Sequence, residues 1–241
     1  MTAGERTIGR GQSDTGYVFR LRGDEWERQL VPEAGGGAGG DVAVSADCGI
    51  IVGGNISVGN RGFVSTCVND GETCTSDDEG SSGFEPPEPP TSTPPPNWFG
   101  RELAVSDDGS TLVVGQIGDS TSTGGIGAPF DRDLPNSGSV RAHQRIEQSW
   151  RQRGYIKAPE PGEGARFGNE LALSADGERI LVVDDAEPSA LRVHRRDELI
   201  WSFEGELGTV DDTVMDVSMD ATGGRVAVGL RSGRVLILNG R

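Results

Sequence analysis

The chain has 241 residues, of which 34% are hydrophobic and 38 are glycine, and its formal net charge is −16. The low apolar content and the abundant glycine favour many short elements joined by turns. The negative charge argues against binding to nucleic acid or to an anionic membrane surface, since both depend on basic patches.

The sequence predicts no membrane segment. Residues 1–16, "MTAGERTIGRGQSDTG", lack the apolar core of a secretory signal, so no signal peptide is predicted in this chain. No apolar run approaches the roughly 20 residues that a spanning helix needs, so we expect no membrane insertion. Because a repeat unit begins almost at once, we favour an internal piece of a longer protein over a cytosolic one.

Four similar stretches recur along the chain. Each has an apolar segment, a serine, a short polar turn and a second apolar segment, and their serines are spaced by 61, 68 and 44 residues. Period-two alternation, as in Leu171 and Leu173 around Ala172, predicts that the apolar segments are β-strands. The stretches are "DVAVSADCGIIVGG", "RELAVSDDGSTLVVG", "ELALSADGERILVVDD" and "MDVSMDATGGRVAVG", anchored on Ser45, Ser106, Ser174 and Ser218.

A second shared element precedes three of these anchors. It is a strand-like segment that leads through a turn to Trp26, Trp150 or Trp201, and "SGRVLILNGR" at the end of the chain resembles its start. Each unit is therefore predicted to contain four strands. Since a four-stranded meander of about 45 residues cannot bury both faces alone, it must stack on its copies.

The predicted fold is an all-β β-propeller of repeated four-stranded antiparallel blades. We expect about four blades plus a terminal strand, in one domain over residues 1–241. A β-sandwich is the alternative, but it does not require strands that repeat in register. An acidic and then proline-rich insertion at 75–97 cannot pack a core and should be extended.

The order of motifs resembles the FG-GAP repeats of integrin-alpha-like propellers. Phe99-Gly100 and Phe167-Gly168 carry the Phe-Gly pair, followed by the L-A-V-S type strand, the Asp-Gly turn and a downstream Trp. The resemblance covers most of the chain apart from residues 75–97 and implies a propeller. Because members of that family typically have more blades than the units found here, it also implies an incomplete or open ring.

Asp107 and Asp108 are predicted to turn the chain, because the loop "SDDGS" is too short to wrap a metal ion. In the resembling family, calcium binds in an Asp-rich loop at this position. The loop of the last unit is predicted to be longer and to carry oxygen-bearing side chains at alternate positions, as calcium-binding loops do. The alternative to a calcium loop is a widened hairpin. The candidate calcium ligands are Asp216, Ser218, Asp220 and Thr222.

The cysteines suggest one disulfide. With Asn69-Asp70-Gly71 as a turn, Cys67 and Cys74 could meet across a hairpin, which would indicate an oxidising compartment. Two ordinary thiols are the alternative. Cys48 occupies the turn position of Gly109 and is expected to be an exposed thiol outside this pair. Asn55 begins a sequon for N-glycosylation, which has meaning only in a eukaryotic secretory pathway.

The pattern favours a non-enzymatic binding or interaction module that is part of a larger extracellular or cell-surface protein. Its ligand, a protein or a glycan, would contact the loops at one face of the scaffold. No cofactor is expected apart from the possible calcium. The alternative is a hydrolase that acts on carbohydrate through two carboxylates, with Asp184 and Asp185 among the acids to test.

Overall fold

The computed structural model of the chain describes residues 8–10, 16–31, 40–56, 62–76, 97–128 and 131–239. Within these ranges the regular secondary structure is 18 β-strands, which confirms the predicted all-β class. No helix that could cross a membrane occurs in the same ranges. The insertion predicted at 75–97 lies mostly outside them, although Thr75 and Ser76 belong to a strand and Asn97 is buried.

The strands form five antiparallel sheets, which we number I to V along the chain. Sheet I contains β1 (Ile8–Arg10), β2 (Gly16–Arg22) and β3 (Glu25–Val31). Sheet II contains β4 (Val42–Val44), β5 (Ile50–Asn55), β6 (Phe63–Asn69) and β7 (Cys74–Ser76). Sheet III contains β8 (Phe99–Val105), β9 (Thr111–Gln116), β10 (Ser139–Ile146) and β11 (Ser149–Ile156). Sheet IV contains β12 (Glu170–Leu173), β13 (Arg179–Val183), β14 (Ser189–Asp197) and β15 (Ile200–Val210), and sheet V contains β16 (Val214–Met219), β17 (Arg225–Leu230) and β18 (Val235–Asn239).

Sheets II to V are the four blades of a β-propeller. Their first strands, β4, β8, β12 and β16, lie side by side in chain order, and the later strands of each sheet run outward from them. The predicted fold is therefore confirmed, with the three-stranded sheet I in place of a single additional strand. Among the described residues no ladder of hydrogen bonds joins sheet V to sheet I or sheet II, so hydrogen bonds do not close the ring.

Successive blades pack face to face through apolar clusters. Val140 of sheet III and Trp201 of sheet IV share one cluster, and Val193 of sheet IV and Val228 of sheet V share the next. The Phe-Gly pairs stand at these seams. Phe99 and Phe167 are fully buried, and each forms a parallel bridge with a glycine of the preceding blade, as Phe167 does with Gly138.

The Asp-Gly stretches are hairpin turns, as predicted. Asp108 Oδ1 accepts hydrogen bonds from Ser106 Oγ at 2.6 Å and from the Ser110 amide at 2.9 Å, and Gly109 has a φ of +70°. The same pattern recurs at Ser45 with Asp47. The backbone of Asp107 also links blades, because its amide donates to Ala175 O at 2.9 Å. These aspartates therefore hold the turns.

The last unit follows a register that differs from the one predicted. The Asp220 amide donates to Arg225 O at 2.9 Å, which is the bond that Ser106 makes to Thr111 and Ser174 makes to Arg179. Asp220, not Ser218, therefore corresponds to the anchor serines, and the turn has the ordinary length. The alignment on Ser218 failed because the last turn has its two polar residues in the opposite order. An aspartate, Asp220, stands at the anchor position, and the hydroxyl group stands two residues later, where Thr222 Oγ1 donates to Asp220 Oδ1 at 3.1 Å. The prediction of a lengthened loop is wrong.

Sheet II holds the cysteines. Cys67 and Cys74 form a disulfide between β6 and β7, with their Cα atoms 5.5 Å apart. Cys48 takes the predicted turn position with a φ of 58°, but its side chain is only 9% exposed and packs near Cys67 and Ile51. The prediction of an exposed Cys48 thiol is therefore wrong, because this turn folds the side chain under the sheet. Asn55, the glycosylation candidate, is the last residue of β5.

Reducing the disulfide should lower the free energy of unfolding by about 2.5 kcal/mol, since opening a ring of this length releases chain entropy in the unfolded state. Urea unfolding of a Cys48→Ala variant, with and without reductant, isolates the effect of the Cys67–Cys74 pair. Equal free energies of unfolding in the two conditions would contradict this expectation.

Candidate functional site

The innermost strands of the four blades bring four carboxylates towards the propeller axis. Each lies four residues before the residue that opens the hairpin turn, in the register fixed by the backbone hydrogen bonds. One such residue comes from each blade. They are Asp41, Glu102, Glu170 and Asp216, which we call the axial carboxylates.

Contacts and electrostatics place these groups near one another. Asp41 Oδ2 accepts a hydrogen bond from the Leu103 amide at 3.2 Å, across the seam between sheets II and III. Burial raises the pKa of Glu102 to about 8, and the nearby carboxylates, Asp41 first among them, add to this rise. Burial likewise raises the pKa of Glu170 to about 7, with Asp216 as the strongest carboxylate neighbour.

Arg101 is the cation within this group. Its positive charge acts against the rise in pKa of both Glu102 and Glu170. One arginine beside four carboxylates leaves this group with an excess of negative charge. At pH 7 protons on Glu102 and Glu170 relieve part of this repulsion, because like charges in a partly buried site favour the neutral acid.

A cavity of about 400 Å³ opens beside Glu170, one of the axial carboxylates, at the ends where the innermost strands begin. Trp98, Arg101, Asn169, Glu170 and Val214 are among its lining residues. A second cavity of about 820 Å³ adjoins the first and shares Arg166, Asp185 and Thr213 with it. Asp211 and Asp212 add further acids to the second cavity.

Asp185 stands at the junction of the two cavities and is held in place. Its Oδ2 accepts from Arg166 Nη1 at 3.3 Å, and its Oδ1 accepts from Asn169 Nδ2 at 2.9 Å. Asp184, the preceding residue, is buried and pairs with Arg192. Of the two acids named from the sequence, only Asp185 therefore lines the site.

The predicted calcium ligands do not lie on one loop. Asp216 and Ser218 belong to β16, whereas Asp220 and Thr222 lie in the hairpin turn that follows. Four residues of extended strand cover about 13 Å, so Asp216 and Asp220 are too far apart to share an ion. In the described residues no cluster of three or more His, Cys, Asp or Glu side chains could hold a metal ion. Calcium binding itself stays a prediction, and a thermal melt with and without millimolar Ca²⁺ would test it.

Sequence reasoning missed Asp41, Glu102 and Glu170 as site residues. A signal was present, since an acidic residue stands four positions before Ser45, Ser106 and Ser174. The wrong register of the last unit concealed it, because Asp216 then appeared two residues before the anchor. Aligning Asp220 with the serines completes the set of four.

Replacing Glu102 by glutamine should stabilise the protein more at pH 9 than at pH 5. The folded-state pKa of about 8 lies above the usual 4.5, so the contribution of Glu102 to stability falls as pH rises from about 4.5 to about 8. Glutamine cannot ionise, and because Glu102 is partly exposed we expect a gain of about 1–2 kcal/mol at pH 9.

Urea unfolding of wild type and E102Q at the two pH values measures this difference. Exposed Glu163, replaced by glutamine, is the matched control. If E102Q and the control change the free energy of unfolding equally at both pH values, the pKa of Glu102 is not raised by burial and by its carboxylate neighbours.

No protein-family profile matches the chain, and no curated protein matches it either. Among solved structures, the chain is similar to the β-propeller domain of Cps50 (Swd1) from Myceliophteria thermophila, with a TM-score of 0.59 and 11% identity over 98% of this chain and 66% of that one. It is also similar to a candidate 6-phosphogluconolactonase from Bacteroides uniformis, with a TM-score of 0.61 and 14% identity over 100% of this chain and 65% of that one. The chain thus spans about two thirds of the length of these structures. The resemblance to FG-GAP repeats stays a prediction, and the likeness to solved structures shows that the fold is a β-propeller.

Proposed function

We propose that the chain is a non-enzymatic binding module that takes its ligand at the cavity of about 400 Å³ beside Glu170, which we call the axial cavity. The ligand presents a cationic group, such as a lysine or arginine side chain of a protein, to Glu102, Glu170 and Asp216. The observation that carries this proposal is the group of four carboxylates beside Arg101: burial raises the pKa values of Glu102 and Glu170, and the neighbouring carboxylates add to both rises.

A cationic ligand would relieve the repulsion that Glu102 and Glu170 otherwise reduce by taking up protons. Binding would therefore lower their pKa values and become tighter between pH 6 and pH 9, as both groups ionise. The adjoining cavity supplies room for the rest of such a ligand, with Asp185, Asp211 and Asp212 on its walls. A rigid scaffold with loops around one open end is a common arrangement for such sites.

Selection from a random peptide library tests this function for a ligand of any sequence. Peptides retained by the wild-type chain at pH 8.5 should be enriched in Lys and Arg. That enrichment should disappear for the E102Q/E170Q double variant and persist for E163Q. Equal enrichment with all three proteins would assign cation binding to the general surface charge and overturn the proposal.

The proposed setting is extracellular or at a cell surface, as part of a larger protein. The disulfide between Cys67 and Cys74 supports an oxidising compartment. Thiol labelling of the protein from its natural source, before any reduction, should modify neither cysteine. Complete labelling of both would contradict this setting.

A hydrolase that acts on carbohydrate is the second candidate. It is favoured by the raised pKa of Glu102, because a general acid must hold its proton near neutral pH while a second carboxylate is ionised. Assays of glycoside turnover with wild type, E102Q and E170Q would separate the two functions. Turnover that both variants abolish would favour the hydrolase, and no turnover by the wild-type chain would remove it.

A further inference from the structure

Sheet V differs from the other blades at its outer edge. In sheets II, III and IV a fourth strand pairs with the third, whereas β18 is the last strand of sheet V among the described residues. The edge of β18 therefore offers backbone groups of the kind that pair with an added strand.

The seam between sheets III and IV shows what such a fourth strand does. Trp201, near the start of β15 in sheet IV, is 3% exposed and packs on the preceding blade. The Trp201 indole packs on Gly154, where a Cβ would lie 2.8 Å from Trp201 Cδ1 and 3.2 Å from Ala142 Cβ. Gly154 pairs with Ala142 across β10 and β11. A glycine is needed there because the indole covers it.

Sheet IV has a glycine at the equivalent position, but no side chain of the described residues packs on it. Gly205 pairs with Val193 across β14 and β15, as Gly154 pairs with Ala142. A Cβ on Gly205 would meet nothing within 4 Å. A groove of about 440 Å³ occupies this place, lined by Val193, Gly205 and Leu207 on one side and by Gly224 and Asn239 of sheet V on the other. The groove therefore has the position and the lining of a tryptophan site.

An arginine near the groove indicates a second feature of the segment that would bind there. In sheet IV, Arg179 holds Glu204 of the fourth strand through Nε to Oε2 at 3.0 Å and Nη2 to Oε1 at 3.1 Å. Arg225 has the same position in sheet V, because each arginine lies five residues after its anchor, Ser174 or Asp220. The Arg225 side chain is exposed, and it makes no hydrogen bond or ion pair to another described residue.

We propose that this groove binds an extended polypeptide segment, which adds a fourth strand to sheet V antiparallel to β18. The segment carries a tryptophan, which packs on Gly205, and an acidic residue three positions later, which pairs with Arg225. The spacing is that of Trp201 and Glu204 in β15, the fourth strand of the neighbouring blade. This surface is separate from the axial cavity, so the inference does not depend on the proposed function.

The probe is a fluorescein-labelled peptide with the sequence of residues 199–210, and fluorescence anisotropy measures its binding to the full chain. Replacing its tryptophan by alanine should weaken binding at least tenfold. Gly205→Leu in the protein should do the same, since leucine fills the place of the indole, and the open space there allows the variant to fold. E163Q, at an exposed residue that does not line the groove, should leave the peptide affinity unchanged.

Exchanging the charges of Arg225 and of its acidic partner in the peptide gives a second measurement. A variant that simply fails to fold could not regain binding in this experiment. Arg225→Glu should weaken binding of the peptide about tenfold, and a peptide with lysine in place of the glutamate that corresponds to Glu204 should regain that loss. No binding by the wild-type chain overturns the proposal, as does binding that Gly205→Leu leaves intact. Self-association of the chain that Gly205→Leu abolishes, without peptide binding, would assign the groove to a second copy and also overturn it.

Discussion

Replacing Lys157 by methionine is expected to lower the free energy of unfolding by about 3–5 kcal/mol, the usual cost of leaving one member of a buried ion pair alone. Lys157, which directly follows β11 of sheet III, is fully buried. Its three N–H donors reach Asp119 Oδ1 at 3.2 Å, Ser137 Oγ at 2.7 Å and Gly138 O at 2.6 Å. Burial lowers the pKa of Lys157, and the Asp119 carboxylate opposes that change.

The loss arises because Asp119 stays buried when its partner is removed. Tyr155 OH still donates to Asp119 Oδ2 at 2.9 Å, and Arg141 Nη2 is 3.7 Å from the same oxygen, but neither replaces the ammonium group. The double variant K157M/D119L should recover only part of the loss, since it removes the unpaired carboxylate but also takes away the anionic partner of buried Arg141.

Urea unfolding measures both variants. Arg179→Met is the matched control, because the Arg179–Glu204 ion pair is partly exposed and should contribute no more than about 1 kcal/mol. A loss for K157M as small as that of the control would contradict the structure of this buried network.

Replacing Gly138 by alanine is the second change with a large expected effect, more than about 3 kcal/mol. Gly138 has a φ of +79°, and a Cβ there would lie 2.2 Å from Phe167 N and 2.4 Å from Phe167 O. Both are backbone atoms of the next blade, which cannot move aside as a flexible side chain would. The substitution should therefore separate sheets III and IV at the Phe-Gly seam.

Gly164→Ala separates backbone strain from the clash. Gly164 has a φ of +71° but open space around its Cα, so alanine should cost only about 1 kcal/mol. Thermal unfolding of the two variants should thus differ clearly in midpoint. Equal midpoints would mean that sheets III and IV do not approach as closely at Gly138 as the structure shows.

The sequence predicted the blades because their signals are local. Strand alternation, the Asp-Gly turns and the tryptophan after the outer turn of three units all lie within one unit, and copies of the unit reinforce one another. Asp108 illustrates this, since its bonds to Ser106 and Ser110 stay within five residues. The strands and hairpin turns that repeat in register could therefore be predicted from the sequence alone.

The axial carboxylates were harder to predict, because they depend on the register between blades. An exchange of polar residues at Asp220 and Thr222 shifted the apparent alignment by two positions. A shift of two keeps every strand residue on the same face, so hydrophobic alternation could not reveal the error. Only the backbone bond from Asp220 to Arg225 fixes the register.

The buried ion pair could not be predicted at all. Lys157 is the only lysine in the chain, but nothing near it in the sequence indicates that it is buried. Its partner Asp119 lies 38 residues earlier, beyond a long connection between β9 and β10. Such pairs form between segments with no repeating pattern, so neither periodicity nor motif spacing marks them.

The central claim is that four carboxylates, one from each blade, converge on the propeller axis. Titration of the glutamate side-chain carboxyl carbons by ¹³C NMR tests it, with E102Q and E170Q to assign the signals and with Asp41→Asn, which should lower the pKa of Glu102 by removing its strongest carboxylate neighbour. We expect pKa values of about 8 for Glu102 and about 7 for Glu170. Both groups titrating near 4.5, the ordinary value for glutamate, would contradict the claim.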